Sequence, residues 1–280
     1  MRVNNSHRLL FDSGTAVPFL ETPNKSGKLS GGKPKYVIIH YTAGGSGNSA
    51  INVFRNPAHK ASAHFVLGHD GAITQMARLD EKCWHAGRSK WDGLVGLNSH
   101  SVGIEIANWG WLKGGNGNWK SHVGTRVEDA RVIVARHRNG GALLGWEIFD
   151  EVQFMTCVDM VRAIADKYGL GPQHILGHDD ISPGRKQDPG PAWHMDKFRA
   201  LVFGRAEDDG DVEQLYRVES SSGLNMRKGA GTTFDVIKLL ADGTQVLQIE
   251  SDGAWWLVSE IVEGEPDVTG WVHSHWLRRI

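Results

Sequence analysis

Cysteine is almost missing from this 280-residue chain: only Cys83 and Cys157 are present, too few for a disulfide framework. Cys83 adjoins Trp84 and Cys157 falls on a helical pattern, so both read as packed thiols rather than ligands. Long apolar runs are missing too; no stretch approaches the roughly 20 residues that a membrane-spanning helix needs. Residues 1–20 lack a basic leader joined to an apolar core and a small-residue cleavage site. The expected location is therefore the cytoplasm, or outside it by a route that leaves no such mark. Net charge is missing as well, with 31 Lys plus Arg against 32 Asp plus Glu. That balance argues against nucleic acid as a partner.

Histidine and tryptophan are plentiful, at 14 and 11. The first raises the prospect of a metal site, and the second suits sugar stacking or core filling. Residues 1–34 read as an extended lead-in, and Tyr36–His40 as a buried strand ending in a histidine. A short helix over Ser49–Phe54 closes at Pro57, and Ala63–Leu67 and Ile73–Met76 form a hairpin turning at exposed His69. Val102–Ile106 is a further strand, and Glu128–Arg138 is expected to be helical. From the N-cap Asp150 a helix runs to Tyr168 and stops at Gly169, with Val152, Met155, Val158, Val161, Ile164, Ala165 and Tyr168 as its apolar face. Residues 175–178 form a last short strand, and a helix follows over 194–203. The acidic stretch 204–211 has nothing to bury and reads as a linker. Beyond it, short alternating strands at 224–226, 234–240, 245–249, 255–258 and 270–272 predict a small five-stranded barrel.

A catalytic zinc site keeps three protein ligands and leaves a fourth position open. His40 ends a buried strand where a ligand would sit, and residues 177–191 leave a strand at His178, turn at Pro183-Gly184 and return with Lys186 and Asp188. Such a loop brings imidazole, ammonium and carboxylate toward one point.

These segments are similar to the type-2 family of N-acetylmuramoyl-L-alanine amidases, which share a fold with peptidoglycan-recognition proteins. The resemblance is carried, in order, by Val37–Thr42, Ser62–Phe65, Trp84–Gly87, Asn98 with Val102–Glu105, and His178–Pro191, spanning roughly 35–203. It implies a zinc amidase domain over 1–203, a mixed central sheet flanked by helices. It also implies one Zn²⁺ on His40, His178 and Asp188, with Glu105 as general base and Lys186 facing the scissile carbonyl. The substrate implied is peptidoglycan or a muropeptide, cut between muramic acid (ordinary or anhydro) and L-alanine. A peptidoglycan-binding protein of little turnover and a hydrolase of another stem-peptide amide are the rivals. A missing leader fits muropeptide recycling and phage-type lysis alike.

His64 and His85 are expected to line the substrate pocket together with Trp84 and Asn98; Trp91 and Trp193 flank motif segments and are candidates for the same role. Asp179 and Asp180 are expected to cap or solvate their loop. Glu105 has a structural alternative as an ion pair with Lys186, but burying that pair for stability alone is unfavourable. Residues 109–125, rich in Gly and Trp, read either as a substrate-contacting loop or as plain surface. His273 and His275 lack a third ligand. Residues 212–280 resemble bacterial SH3-like modules through Leu224–Arg227, Asp242–Thr244, Gly253–Val258 and Gly270–His273 with Trp276-Leu277. The resemblance implies an all-β barrel that contacts cell wall.

Overall fold

The computed structural model describes residues 1–115, 117–204, 215–262 and 265–280. The chain divides into two compact units, Met1–Val132 with Arg136–Arg205, and Ile133–Ala135 with Ala206–Ile280. Apart from Gly204, the stretch expected to link two domains lies outside the described residues.

In chain order the first unit contains β1 (Tyr36–Tyr41), α1 (Gly47–Arg55), β2 (Phe65–Leu67), β3 (Ile73–Gln75), β4 (Ser101–Ile106), β5 (Trp111–Leu112), β6 (Leu143–Glu147), α2 (Glu151–Tyr168), β7 (Ile175–Gly177) and α3 (Met195–Phe203). Its central sheet runs β7-β1-β4-β2-β3. The first four strands are parallel and β3 is antiparallel at the edge. The parallel strands read as continuous apolar runs because both faces are covered. Val37, Ile39, Val102 and Ile104 pack in the main core with Val158, Val161 and Ile164 of α2 and Phe198 of α3.

Three local expectations give way. Residues 1–34 are packed: Arg2–Val3 pairs with Leu9–Leu10, and Val3, Leu9 and Val17 join the main core. Glu128–Arg138 is one 3-10 turn, Asp129–Arg131, followed by a strand, Val132–Arg136. The run Val132-Ile133-Val134 is β-branched, and χ1 restriction disfavours it in a helix. On α2, Val152 and Met155 are exposed while Gln153, Cys157 and Met160 are buried. Gln153 turns inward because its amide accepts the Asp150 N–H and donates to the Ala107 carbonyl. The capping bond sets the helix's rotation, and the apolar stripe begins one turn later.

The second unit is one curled sheet around Val218, Met226, Leu240, Val246, Val258 and Val272. It has seven strands, Leu215–Val218, Leu224–Arg227, Val236–Leu240, Gln245–Asp252, Trp255–Val262, Glu265–His273 and Leu277–Arg279. The expected five-stranded barrel is instead a curled sheet that stays open among the described residues. Val236–Leu240 and Leu277–Arg279 are the two edges, and among the described residues no ladder joins them.

Candidate functional site

The parallel register places Glu105 opposite His40 and Gly177 opposite Ile39. Three adjacent strands therefore end together, with His178 the first residue beyond β7. Ligands of open α/β sheets bind in the crevice beyond such carboxyl ends. The loop after His178 returns Asp188, whose carbonyl accepts the Asp179 N–H at 2.9 Å. His40 Nδ1 lies 2.9 Å from His178 Nδ1 and 2.8 Å from Asp188 Oδ2, and His178 Nδ1 lies 2.9 Å from that same oxygen. All three side chains are buried, and their ligand atoms lie within 4.8 Å of one another.

Hydrogen bonding fixes which nitrogen each ring offers. His85 Nε2 faces the Ser101 carbonyl at 3.3 Å, and a carbonyl only accepts, so His85 Nε2 carries the hydrogen. Its Nδ1 then accepts from His40 Nε2 at 3.0 Å. His178 Nε2 lies 3.1 Å from the Ala86 carbonyl and 3.3 Å from Arg185 Nη2, which itself donates to that carbonyl at 2.9 Å; with the nearer carbonyl as its acceptor, Nε2 carries the hydrogen. Both rings thus turn an Nδ1 lone pair toward the Asp188 carboxylate. Three acceptors facing one another repel unless a cation sits among them, so the donor set fits a metal ion, with outer partners orienting the ligands. Burial, joined by repulsion from His178, lowers the pKa of His40 to about 4, which leaves it in the neutral form that ligates.

Glu105 lines the same crevice. Burial and then the Asp188 charge push its carboxyl well above the ordinary range, against the opposing pull of Lys186. A carboxyl so placed holds a proton more readily than a surface glutamate. Lys186 is half-buried in the same lining, and among the described residues no ion pair joins it to Glu105. The crevice opens into a cleft of about 710 Å³. Ala50, Val53 and Phe54 of α1 also line it, as do Trp109, Trp111 and His122. Trp109, Trp111 and His122 are therefore part of the cleft wall.

Of His64, His85, Trp84, Asn98, Trp91 and Trp193, His85 alone lies in the cleft lining. His64 is fully buried, donating through Nε2 to the Glu81 carbonyl and accepting the Gly103 N–H at Nδ1. The Asn98 carbonyl oxygen accepts the His85 and Ala86 N–H groups and so shapes the loop that carries His85. Trp84 donates its indole N–H to Ser26. Trp193 is buried among Phe149, Phe154 and Phe198, and Trp91 packs on the Tyr36–Leu97 cluster. Polar residues beside a motif are spent on holding it, and Gly103 belongs with them: a Cβ there would come within 2.5 Å of the His85 ring.

Sequence reasoning missed Tyr41, Arg185 and the clamp on the ligand loop. Asp179 is buried, within 3.0 Å of His137 Nε2 and bonded by Arg138, while Asn139 holds its carbonyl. Asp180 does cap, accepting the Gly177 N–H. His69 is half-buried rather than exposed, with Nδ1 2.7 Å from Asp150 Oδ2. Both cysteines are free and buried. Among the described residues His40, His178 and Asp188 form the one group able to hold a metal ion.

These features define a class: an α/β domain with a metal-binding trio at the carboxyl ends of parallel strands. The particular family follows from comparison. The N-acetylmuramoyl-L-alanine amidase family profile matches residues 30–191, and the chain belongs to that family. A bacterial SH3 domain profile matches residues 222–278. The chain is 27% identical over 181 residues to N-acetylmuramoyl-L-alanine amidase AmiD of Escherichia coli K12, covering 62% of this chain and 55% of that protein. It is 33% identical over 169 residues to N-acetylmuramoyl-L-alanine amidase A of Achromobacter lyticus, covering 60% and 82%. The crystal structure of a selenomethionine AmpD derivative superposes with TM-score 0.50 at 21% identity, over 72% of this chain and 99% of that one, which shows the shared fold. The chain spans about half the length of AmiD.

Proposed function

We propose that this chain hydrolyses the amide between N-acetylmuramic acid, ordinary or anhydro, and L-alanine in peptidoglycan or its fragments, with one zinc ion held by His40, His178 and Asp188. The observation that carries this reading is the chain Ser101–His85–His40, which turns an Nδ1 lone pair toward His178 and Asp188. Two nitrogens and one carboxylate oxygen beside an open cleft suit zinc in a catalytic rather than a structural setting. Zinc supplies a Lewis acid and lowers the pKa of water to about 7. Glu105, raised in pKa by burial, accepts a proton from water and returns it to the departing alanine nitrogen. Lys186 offers its ammonium to the negative oxygen that develops on the carbonyl. For the C-terminal unit we propose cell-wall contact. Its support is a run of ring contacts, Trp255–His273, His273–His275 and His275–Trp276, ending in a half-exposed tryptophan.

Glu105→Gln keeps shape but cannot accept a proton at neutral pH, and Lys186→Met removes charge while keeping volume. Both are expected to retain zinc. The first lowers kcat by about 10²–10⁴-fold and the second by about 10²–10³-fold, with KM little changed. The assay is metal-dependent release of a peptide with a new N-terminal L-alanine from muropeptide, identified by mass. Zinc loss in either variant, near-normal kcat in both, or a different new amine terminus would each overturn this division of roles.

A further inference from the structure

The segment after Glu105 places one aromatic side chain with unusual firmness. Trp109 lines the reaction cleft and also a shallow depression of about 480 Å³ lined by Gly45, Asp70 and Arg131. Its backbone N–H is held at 2.6 Å by the carboxylate of buried Glu147. Buried Asn108 next to it donates to the Glu147 and Ile148 carbonyls and accepts the Gly110 N–H at 2.7 Å. The indole packs against Gly45, where an added Cβ would come within 2.5 Å of the ring. His122 forms a T-shaped pair with it at 6.2 Å between centroids. Gly110 is confined in turn, since its φ is +72° and a Cβ there would overlap the Tyr41 ring. A tryptophan fixed through its backbone and held against Gly45 and His122, yet only half-buried in a cleft, is built to present the rest of its surface to a ligand.

The chemistry of the lining separates the two halves of a muramoyl-peptide. The cationic side chains of the cleft, Arg185 and Lys186, both lie in the ligand loop. That side suits the anionic stem peptide. The wall made by Trp109, Trp111 and His122 carries no carboxylate or ammonium among the residues lining the cleft. An indole face is electron-rich and attracts the weakly positive C–H groups of a pyranose ring, which needs no charge partner. We infer that Trp109 is the specificity-determining residue for the sugar: it stacks on the muramic-acid ring and makes the cleft select glycan-bearing substrates over free acyl peptides. This rests on the amidase reading above and assigns the sugar side of that same site.

The test uses the full chain with its metal and compares Trp109→Ala, Trp109→Phe and Gly45→Ala with the parent protein. The glycine variant leaves Trp109 in the sequence but pushes the ring from its seat. Two substrates are assayed, a muramoyl-tripeptide and the matching D-lactoyl-tripeptide, which keeps the acyl group, the scissile amide and the peptide but has no sugar ring. Loss of one ring contact is expected to raise KM for the muramoyl substrate about ten-fold in Trp109→Ala. Gly45→Ala is expected to do the same, Trp109→Phe to recover most of the loss, and kcat and the lactoyl substrate to be unaffected. Equal losses on both substrates, or none on either, would overturn the inference. Binding of N-acetylmuramic acid alone, followed by ligand-observed NMR, separates it from the amidase reading. If the parent turns over neither substrate yet binds the sugar and Trp109→Ala does not, the amidase reading falls and the stacking stands. If the parent does not bind the sugar, the stacking falls whatever the turnover.

Discussion

The two units bury different things. In the first, His40, His64, His85, His178, Asp179, Asp188 and Asn108 are all buried. In the second, the described interior is Val218, Met226, Leu240, Val246, Val258 and Val272, with Ser220, Ser259 and Glu260 as its buried polar residues. Burying polar groups is unfavourable unless each finds a partner. A region that buries so many, with His40, His85, His178 and Asp188 in mutual contact, has an interior organised around a site. A region that buries few, around an apolar cluster, is organised around packing. The contrast teaches where substitutions will register as lost chemistry and where they will register as lost stability.

The largest effect that would break this contrast is at the metal trio. His178→Ala removes one of three ligand groups, and zinc content and turnover are both expected to collapse. Arg138→Met, which loosens the clamp on Asp179 one step removed from the ligands, is expected to weaken metal affinity by less than the roughly 10–100-fold that losing a ligand's own hydrogen-bond partner costs. Metal titration with a competing chelator ranks the two. Stoichiometric zinc with normal turnover in His178→Ala would remove it from the site.

In the second unit the expected loss is of a different kind. Met226 is fully buried, and Met226→Ala is expected to cost about 2–5 kcal/mol through the cavity it leaves. Chemical denaturation followed by the near-ultraviolet signal measures it. Metal content and turnover of soluble muropeptide should not move. If they do, the units do not divide as their interiors indicate.

The smallest effect is a pH dependence confined to the first unit. Burial lowers His64 from its ordinary 6.5 to about 4, with the Glu81 carbonyl acting in the opposite direction. The unfolded chain therefore takes up this proton first. The stabilisation is complete above pH 6.5 and is lost as pH falls through about 4. Over that window it amounts to at most about 3 kcal/mol. His64→Gln, whose amide can serve the same two partners, should flatten the melting curve between those pH values. An equal slope in both proteins would mean that other groups carry it.

Much of the first unit was legible because its signals are local. A run such as Val37-Ile38-Ile39 is readable as a buried strand, and His40 at its end as a candidate ligand. The spacing of His178, Lys186 and Asp188 was legible for the same reason. What escaped is set by contacts distant in sequence. His64 and Asn98 look like pocket residues until the Gly103 N–H and the loop at His85 claim them. Clamping of Asp179 by Arg138 joins residues 41 apart, and neither position hints at the other. The open edge of the second unit was illegible too, since alternation marks strands and not whether the first meets the last.

Trp146 carries a consequence beyond its own packing. It stands opposite Trp111 across the β5–β6 pair, abuts Gly190 in the ligand loop so closely that a Cβ there would come within 2.6 Å of its ring, and lies against His137 at 5.8 Å between centroids. It is 1% exposed. In the linear sequence Trp146 lies beyond the 109–125 stretch with no motif around it, and could pass for something to be trimmed when a smaller enzyme is wanted. In space it is a keystone. Excising it would leave a tryptophan-sized void against the loop that bears Asp188, so the shortest working form of this unit has to keep it.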